Sequence, residues 1–415
     1  MPPSRHPPPL GAIAAIVAVL AILLTAAPVS ARAQQPTAPA VISRDSAVSL
    51  ALAHGSRAAI AGADSRAAAA RVRQAGMHAN PLLSTSYSKA VPQYHASIDF
   101  PLDFLTLRSL RIATARSASE AAQLRLAFER AAIRLDVDTS YTIAASRRAR
   151  GVLSLRNAAD AESLLTVATV RRSAGDASDL DVDVARISAG RARNAAAADA
   201  EASVAALLEL QQALGLPVDT PTIVIADSLD VPRVDTLGTA TSLSVAAAQS
   251  DLRSSEQALA LERRSIWSGL ALQAGVENHD PTGSETGILP TVGISIPLPL
   301  FSQGQGSIAV AEAERDRARA QLAAAQRVSA AQVARARREL AAATARVARD
   351  RLLVETANRV ARLSLQAYTE GEYPLTTVLE AQRNARDTLA ELIDDLVSAN
   401  TAAAALRLYT ETVSQ

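Results

Sequence analysis

The sequence predicts a mainly helical protein with a small β part, in which one structural unit occurs twice. The unit is a long helical hairpin preceded by two short strands. The stretches 106–174 and 307–370 contain no proline and hardly any glycine, and a glycine turn follows each of them. Apolar and polar residues alternate just before each stretch, which is typical of β-strands.

An internal repeat supports this organisation. Ser97–Leu102 and Gly293–Leu298 align at an offset of 196 residues, and the same offset brings Gly175 onto Gly371. Chance rarely keeps one spacing across a strand end, a long helix and a turn. The repeat therefore indicates two copies of one supersecondary unit.

The two uninterrupted stretches are predicted to be single helices. They consist mainly of Ala, Arg, Leu, Glu and Gln, which are strong helix formers. At 1.5 Å per residue, each helix would be roughly 100 Å long. A helix of that length cannot be buried in one globular core, so it needs lateral neighbours, as in a coiled coil or a helical barrel.

The return path of each hairpin is expected to be broken. In the first repeat it reads as helix from after Gly175 to about Leu214, extended chain at 222–225, and helix again over 241–265. The second repeat returns over 376–410. The N-terminal helix, about 44–78, is expected to supply its missing half, because the lengths then match the long helices.

Four short strands are predicted, two before each long helix. They are Leu82–Ser88, His95–Leu102, Leu270–Glu277 and Thr291–Leu298. A turn with Pro92 joins the first pair, and a polar loop at 280–283 joins the second. The apolar face is formed by Ala96, Ile98, Phe100, Val292, Ile294 and Ile296. Because about eight strands are the minimum for a closed barrel, closure requires a dimer or a trimer, and a tube of long helices favours the trimer.

The N-terminus indicates export. Arg5 precedes an apolar run at 11–24 and a small-residue cleavage site, which predicts a signal peptide over 1–33. The run is shorter than the roughly 20 residues that span a bilayer; a retained anchor is the alternative. The two repeats would then occupy 34–233 and 234–415.

The composition argues against an enzyme and against a nucleic-acid partner. The 42 basic and 41 acidic residues are mixed along the chain, so no segregated basic face is expected. There is no cysteine, and neither a phosphate-binding loop nor a nucleophile elbow is present. The histidines outside the signal lack ligand spacing: His54, His78, His95 and His279. We therefore expect no catalytic residues, no metal site and no cofactor.

The order of these elements resembles the TolC-like outer-membrane efflux proteins, and so do three motifs. The motifs are the strand end Ile296–Phe301 with Gln303–Gly306, and the turns Gly175–Val182 and Gly371–Ala381. The resemblance covers the chain from about residue 42 to 409. The strand-end motif is most similar to the CzcC-like heavy-metal efflux group.

The resemblance implies a homotrimer with a twelve-stranded β-barrel in outer-membrane lipid and a twelve-helix periplasmic tunnel. It also implies that the glycine turns are the periplasmic tips, which dock to a periplasmic adaptor (membrane fusion) protein and close the idle tunnel. The chain would then be the passive exit duct of a tripartite efflux or export system with an inner-membrane pump. An exported periplasmic coiled-coil adaptor or scaffold is the alternative, although an adaptor should show one hairpin flanked by β-rich domains.

The candidate functional residues lie in and after the two turns. Asp179 and Thr376 are expected N-cap residues of the returning helices. The expected docking residues are Gly175, Leu180, Val182, Gly371, Leu375 and Val378. The expected gate residues are Asp181, Asp183 and Glu380, with Arg186 and Arg383 as neutralising partners. The resemblance implies acidic gate positions at Asp181 and Glu380.

Overall fold

The computed structural model describes residues 40–89, 93–103, 107–232, 242–278, 287–298 and 300–410. The expected signal peptide, the Pro92 turn and the polar loop at 280–283 lie outside the described residues. The α-helices within these ranges are α1 Arg44–His54, α2 Ser56–Ala75, α3 Arg108–Ala174, α4 Asp179–Ala213, α5 Leu243–Arg264, α6 Gln305–Thr369 and α7 Leu375–Thr410. The strands are β1 Ala40–Ile42, β2 Leu82–Tyr87, β3 Tyr94–Pro101, β4 Ile223–Ile225, β5 Ala271–Asn278 and β6 Ile288–Ser295.

The helices pack side by side as a wall. The long helices α3 and α6 have 67 and 65 residues, which corresponds to about 100 Å each. In the half of the wall near β2, β3, β5 and β6, the order of helices is α2, α3, α5, α6. In the half near the glycine turns, the order is α4, α3, α7, α6. Each long helix is thus flanked by shorter helices in succession, but their partners differ from the prediction. The N-terminal helix α2 lies in line with α4, and α5 lies in line with α7 between the two long helices. The linker after α4 packs in the core over α3, so α5 continues on the other side of α3 and completes the second return path, not the first.

Small side chains dominate the helix contacts. The buried residues of α6 include Ala311, Ala318, Ala336 and Ala343, and each buries little more than one methyl group, so each contact contributes no more than about 1 kcal/mol. Short side chains let the helix axes approach closely along their whole length. The wall is therefore stabilised by many small contacts distributed along it.

The four strands next to the helices form one antiparallel sheet in the order β2-β3-β5-β6. Its register places Ile98 opposite Ala274 and Ala274 opposite Val292, so the predicted alternation becomes a continuous apolar face. Val292 and Ile294 of that face are 81% and 66% exposed. Within the described residues, the apolar face is therefore uncovered.

One strand differs from its prediction. The structure ends β6 at Ser295 and starts it at Ile288, three residues before the predicted start at Thr291. Pro290 is the third residue of this strand and cannot donate a ladder hydrogen bond. Ile296 follows the strand, so the alternating pattern continues beyond the last ladder hydrogen bonds.

The N-terminal helix is also divided, in contrast to the single helix predicted over 44–78. Gly55, with ψ of 134°, separates α1 from α2. A Cβ on Gly55 would lie 2.4 Å from the Ala51 carbonyl oxygen, so only glycine fits this corner. Ser56 after it starts a new helix.

A hydrophobic core, here called the equatorial core, covers one face of the middle of α3. It contains Ile42, Val48, Ala51, Val137, Tyr141, Leu210, Leu214, Ile223 and Ile225, together with smaller neighbours. The Tyr141 side chain is fully buried, and its hydroxyl lies 3.0 Å from both the Ile42 carbonyl and Asp227 Oδ2. Because β1 pairs with β4, this core ties the start of the chain to the linker between the repeats.

A buried carboxylate lies beside the equatorial core. The Asp138 side chain is 4% exposed, with Arg44 3.9 Å and Arg407 3.5 Å away. Burial raises the pKa of the Asp138 carboxyl, and the two guanidinium groups oppose that shift. Asp138 therefore connects the first helix and the end of the last helix to α3.

Candidate functional site

The two glycine turns lie next to each other at one end of the wall. Gly175 and Gly371 end the long helices with φ of 90° and 84°, a left-handed conformation that glycine adopts without strain. The N–H groups of Asp176 and Glu372 donate back to the carbonyls of Arg171 and Ala367, each at 2.8 Å. Both long helices therefore end in the same kind of reversal, as the sequence repeat predicts.

The start of α4 corrects one predicted cap. Ser178, not Asp179, is the N-cap residue, and its hydroxyl accepts from the Asp181 N–H at 3.1 Å. The Asp181 carboxylate accepts in return from the Ser178 N–H at 3.0 Å, which completes a capping box. Asp179 is the first helical residue, and its carboxylate instead binds the Arg172 guanidinium at 2.6 and 3.1 Å. These hydrogen bonds lower the pKa of Asp179.

The start of α7 corrects the other predicted cap. The helix begins at Leu375, so Thr376 lies in its first turn and is not the N-cap. The Thr377 N–H donates to the Pro374 carbonyl at 3.1 Å. Since Pro374 has a fixed φ that suits a helix start, the helix begins one residue earlier than predicted.

An apolar cluster, the tip cluster, joins the two turns. Its buried members are Leu164, Ala168, Val182, Ala185, Tyr368, Leu375 and Val378. Three of the expected docking residues, Val182, Leu375 and Val378, are therefore buried within the protomer. Leu180, by contrast, is 71% exposed. Tyr373 is another exposed apolar side chain of the tip, and the sequence reasoning did not select it.

Arg171 links one turn to the other. Its guanidinium donates to the Tyr368 carbonyl, and to the Asp176 carbonyl at 3.2 Å. It also lies 4.7 Å from the centroid of the Tyr368 ring, within the range of a cation–π contact. Burial raises the pKa of the Tyr368 hydroxyl, Arg171 lowers it, and Asp181 raises it. Sequence reasoning missed Arg171 and Tyr368, whose only signal was their place in the last turn before each glycine.

The expected gate residues differ in their surroundings. Asp183 pairs with Arg186 at 2.6 Å. Arg383, which is one turn after Glu380, lies 3.6 Å from Asp387. Glu380 is exposed and has no ion pair within the described residues. Since Asp181 completes the capping box, Glu380 is the most available carboxylate of the three.

A charged groove follows one face of the wall. In the sheet-side half its volume is about 1200 Å³, and its charged lining includes Asp64, Arg71, Arg125, Asp251, Glu314 and Arg317. A second groove of about 560 Å³ continues it past the middle of α3. Arg57 donates to Glu129 of the first groove, and to Asp136 of the second. The equatorial core covers the opposite face of α3. The grooved face therefore mixes both signs of charge.

The turn conformation gives a direct test. Gly175→Val is expected to cost about 1–2 kcal/mol because its φ is left-handed, although a Cβ there would meet nothing within 4 Å. The effect should stay at the tip, seen as faster protease cleavage near residue 175 with an unchanged assembly. Gly190→Val is the matched control, since its Cβ also meets open space without a left-handed φ. Equal cleavage of the two variants would contradict the expectation.

Within the described residues, no helix is both long enough and apolar enough to cross a membrane. In the same ranges, no group of three or more His, Asp or Glu side chains is arranged to hold a metal ion.

Comparison with known proteins agrees with this architecture. Residues 242–411 match the family described as outer membrane efflux protein. No curated protein matches the chain. The outer membrane protein VceC from Vibrio cholerae is 17% identical with a TM-score of 0.72, over 89% of this chain and 97% of that chain. The CmeC outer membrane channel from Campylobacter jejuni is 12% identical with a TM-score of 0.75, over 90% of this chain and 87% of that chain. The open state of the MtrE outer membrane channel from Neisseria gonorrhoeae is 15% identical with a TM-score of 0.69, over 88% of each chain.

The family match falls within the second repeat, and the structural likeness extends to both repeats. These findings confirm the predicted resemblance and the predicted fold class: the chain carries an outer membrane efflux protein domain and has the fold of the TolC-like outer-membrane channels.

Proposed function

We propose that this chain is the outer-membrane duct of an efflux system, assembled as a homotrimer. The observation that supports this most is the four-stranded sheet. Within the described residues, the outer sides of its edge strands β2 and β6 have no partner strand. An open edge leaves backbone donors and acceptors unsatisfied. Pairing β6 of one copy with β2 of the next would remove every edge, and three copies give a closed barrel of twelve strands.

The two faces of the sheet support a barrel in lipid. The exposed apolar face, which includes Phe100, Val276 and Val292, suits contact with hydrocarbon. The opposite face carries Ser97, Gln273 and Thr291 and suits a water-filled interior. The chain would then be a cell outer-membrane protein with a large periplasmic portion, and the grooved face of its wall would line the duct.

The tips are proposed as the docking and closing end of that duct. Leu180, Tyr373 and the two turn glycines are exposed there, and they offer contacts to a periplasmic adaptor coupled to an inner-membrane pump. Glu380 would form a ring of three carboxylates at the narrow end. A separate proposal is that the chain belongs to the CzcC-like heavy-metal efflux group. This proposal rests on the 296–301 motif alone.

Membrane fractionation and gel analysis test the proposal. We expect the full chain in the outer-membrane fraction as a trimer that dissociates on heating, and ion conductance after reconstitution in planar bilayers. A soluble periplasmic monomer without conductance would instead support the alternative, an exported coiled-coil adaptor or scaffold.

Replacement of Glu380 tests the gate role. Because three copies of this carboxylate would concentrate cations, Glu380→Gln is expected to lower the cation-to-anion permeability ratio about twofold. Asp387→Gln is the matched control, since Asp387 lies two turns further along α7 and already contacts Arg383 and Arg386. Unchanged selectivity of the Glu380 variant would show that Glu380 is not part of the gate.

A further inference from the structure

Two ionisable residues face each other across neighbouring strands of the sheet. His95 of β3 and Glu277 of β5 are register partners, and His95 Nδ1 lies 3.4 Å from Glu277 Oε1. Their side chains are 35% and 34% exposed. The imidazole and the carboxylate therefore form a direct pair that water still reaches.

The pair lies on the polar face of the sheet. Because side chains alternate along a strand, Ser97 and Asp99 share that face with His95, and Gln273 and Gly275 share it with Glu277. Within the described strands, the ionisable side chains on this face are His95, Asp99 and Glu277.

The position along the strands puts the pair far from the helices. His95 is the second residue of β3 and Glu277 the second-last residue of β5. The helices join these strands at their other ends, after Pro101 and before Ala271. At about 3.3 Å per residue, the pair lies roughly 20 Å from the helical wall.

Within the described strands, few other charges act on the pair. Asp99 is four residues along β3, about 13 Å away, which exceeds the Debye length of about 8 Å at physiological ionic strength. Ser86 faces His95 from β2, and Leu289 faces Glu277 from β6, and neither side chain titrates. Lys89 follows β2 at this end of the sheet. His95 is the histidine on this face of the described strands. His279 follows Glu277 by two residues in the sequence and lies outside the described residues, so the His279→Gln variant separates its contribution from that of His95.

We propose that His95 and Glu277 form a proton-sensitive selectivity element at the barrel end remote from the helices. The proposal rests on the trimeric barrel of the proposed function, in which three such pairs face one lumen. A histidine changes its charge between about pH 5 and 8. When the imidazole is protonated, the pair is neutral, and the net charge of the polar face is −1 per protomer because of Asp99. When it is neutral, Glu277 is uncompensated and the face carries −2, so the duct prefers cations more strongly at higher pH.

Reversal potentials in planar bilayers test this. With the purified full chain in a potassium chloride gradient, we expect the potassium-to-chloride permeability ratio to rise about twofold from pH 5.5 to pH 8.0, in line with the doubled charge. His95→Gln should hold the ratio at its high value at both pH values. Glu277→Gln should lower the ratio at pH 8.0. His54→Gln is the matched control, because His54 is exposed at the end of α1, away from the sheet.

The absence of cysteine allows a second measurement that does not depend on pH. In the H95C variant, a methanethiosulfonate reagent forms a disulfide with the thiolate and releases methanesulfinate. A cationic reagent should lower the permeability ratio and an anionic reagent should raise it. Equal effects of the two reagents would show that this position does not set the selectivity.

The outcomes separate the inference from the proposed function. A wild-type channel that conducts with the same permeability ratio at both pH values would overturn the selectivity role alone. The same holds for a His95→Gln channel that keeps the full pH response. A wild-type chain that forms no channel would instead overturn the proposed function, and the inference with it.

Discussion

Replacing Tyr141 by alanine is expected to weaken the equatorial core by about 3–5 kcal/mol, the usual cost of deleting a fully buried aromatic side chain. Tyr141 is fully buried and packs within the cluster that joins α1, α3, α4, β1 and β4. Its loss would also leave the Asp227 N–H, which now donates to the hydroxyl at 3.2 Å, without that partner. Hydrogen exchange of the assembled protein measures the effect, and exchange of β1 and β4 should accelerate about a hundredfold or more.

Two further variants make the Tyr141 result specific. Tyr141→Phe keeps the ring and removes the hydroxyl, so its cost should be about 1–1.5 kcal/mol. Tyr373→Ala removes an exposed tyrosine and should change stability by less than about 0.5 kcal/mol. If Tyr141→Ala and Tyr373→Ala had the same exchange rates, the equatorial core would not hold the N-terminal segment as inferred.

The second large effect is expected from Arg171→Ala, which should open the tips. This variant removes the contacts of the guanidinium with the Tyr368 carbonyl, the Tyr368 ring and the Asp176 carbonyl. A hydrogen bond to a charged group contributes about 1.5–3 kcal/mol. Losing about 2 kcal/mol per protomer would raise the open fraction of the tip roughly 30-fold. Single-channel recordings of the reconstituted protein measure this as a higher open probability.

Arg319→Ala provides the control for Arg171→Ala. Arg319 is an exposed arginine outside the tips, and its ion pair with Asp316 lies within α6 alone. An exposed pair of this kind contributes at most about 1 kcal/mol and does not join the two turns. Equal open probabilities in the two arginine variants would mean that the contacts of Arg171 do not hold the tips together.

The sequence predicted the long helices well because their signals are local. The end of α3 and the return at Gly175 follow from helix-forming residues and a glycine, and both agree with the structure within two residues. The sheet was predictable for a similar reason, since alternation at Ile98 and Val292 marks a face directly. Its extent was less predictable, because the alternation at Ile296 continues past the end of the ladder.

The candidate site was only partly predictable, because its details depend on contacts between distant segments. Ser178 and Asp179 are both good capping residues, and the choice between them depends on the reciprocal bond with Asp181 and on Arg172. The burial of Val378 depends on the neighbouring hairpin, which a pattern within one repeat does not show. The contact of Arg171 with Tyr368 joins residues 197 positions apart, so no spacing rule indicates it.

The position of α7 in the wall sets an order for folding. In the turn-side half, α7 lies between α3 and α6, although it follows both of them in the chain. The contact between Arg150 and Asp394 spans 244 residues, whereas α3 and α4 are joined by a short turn. A chain that emerges N-terminus first can form the first hairpin early, because local contacts need little loop closure. The apolar sides of α3 and α6 that later hold α7 must stay open until nearly the whole chain has emerged, and exposed apolar surface of this kind favours aggregation during that interval.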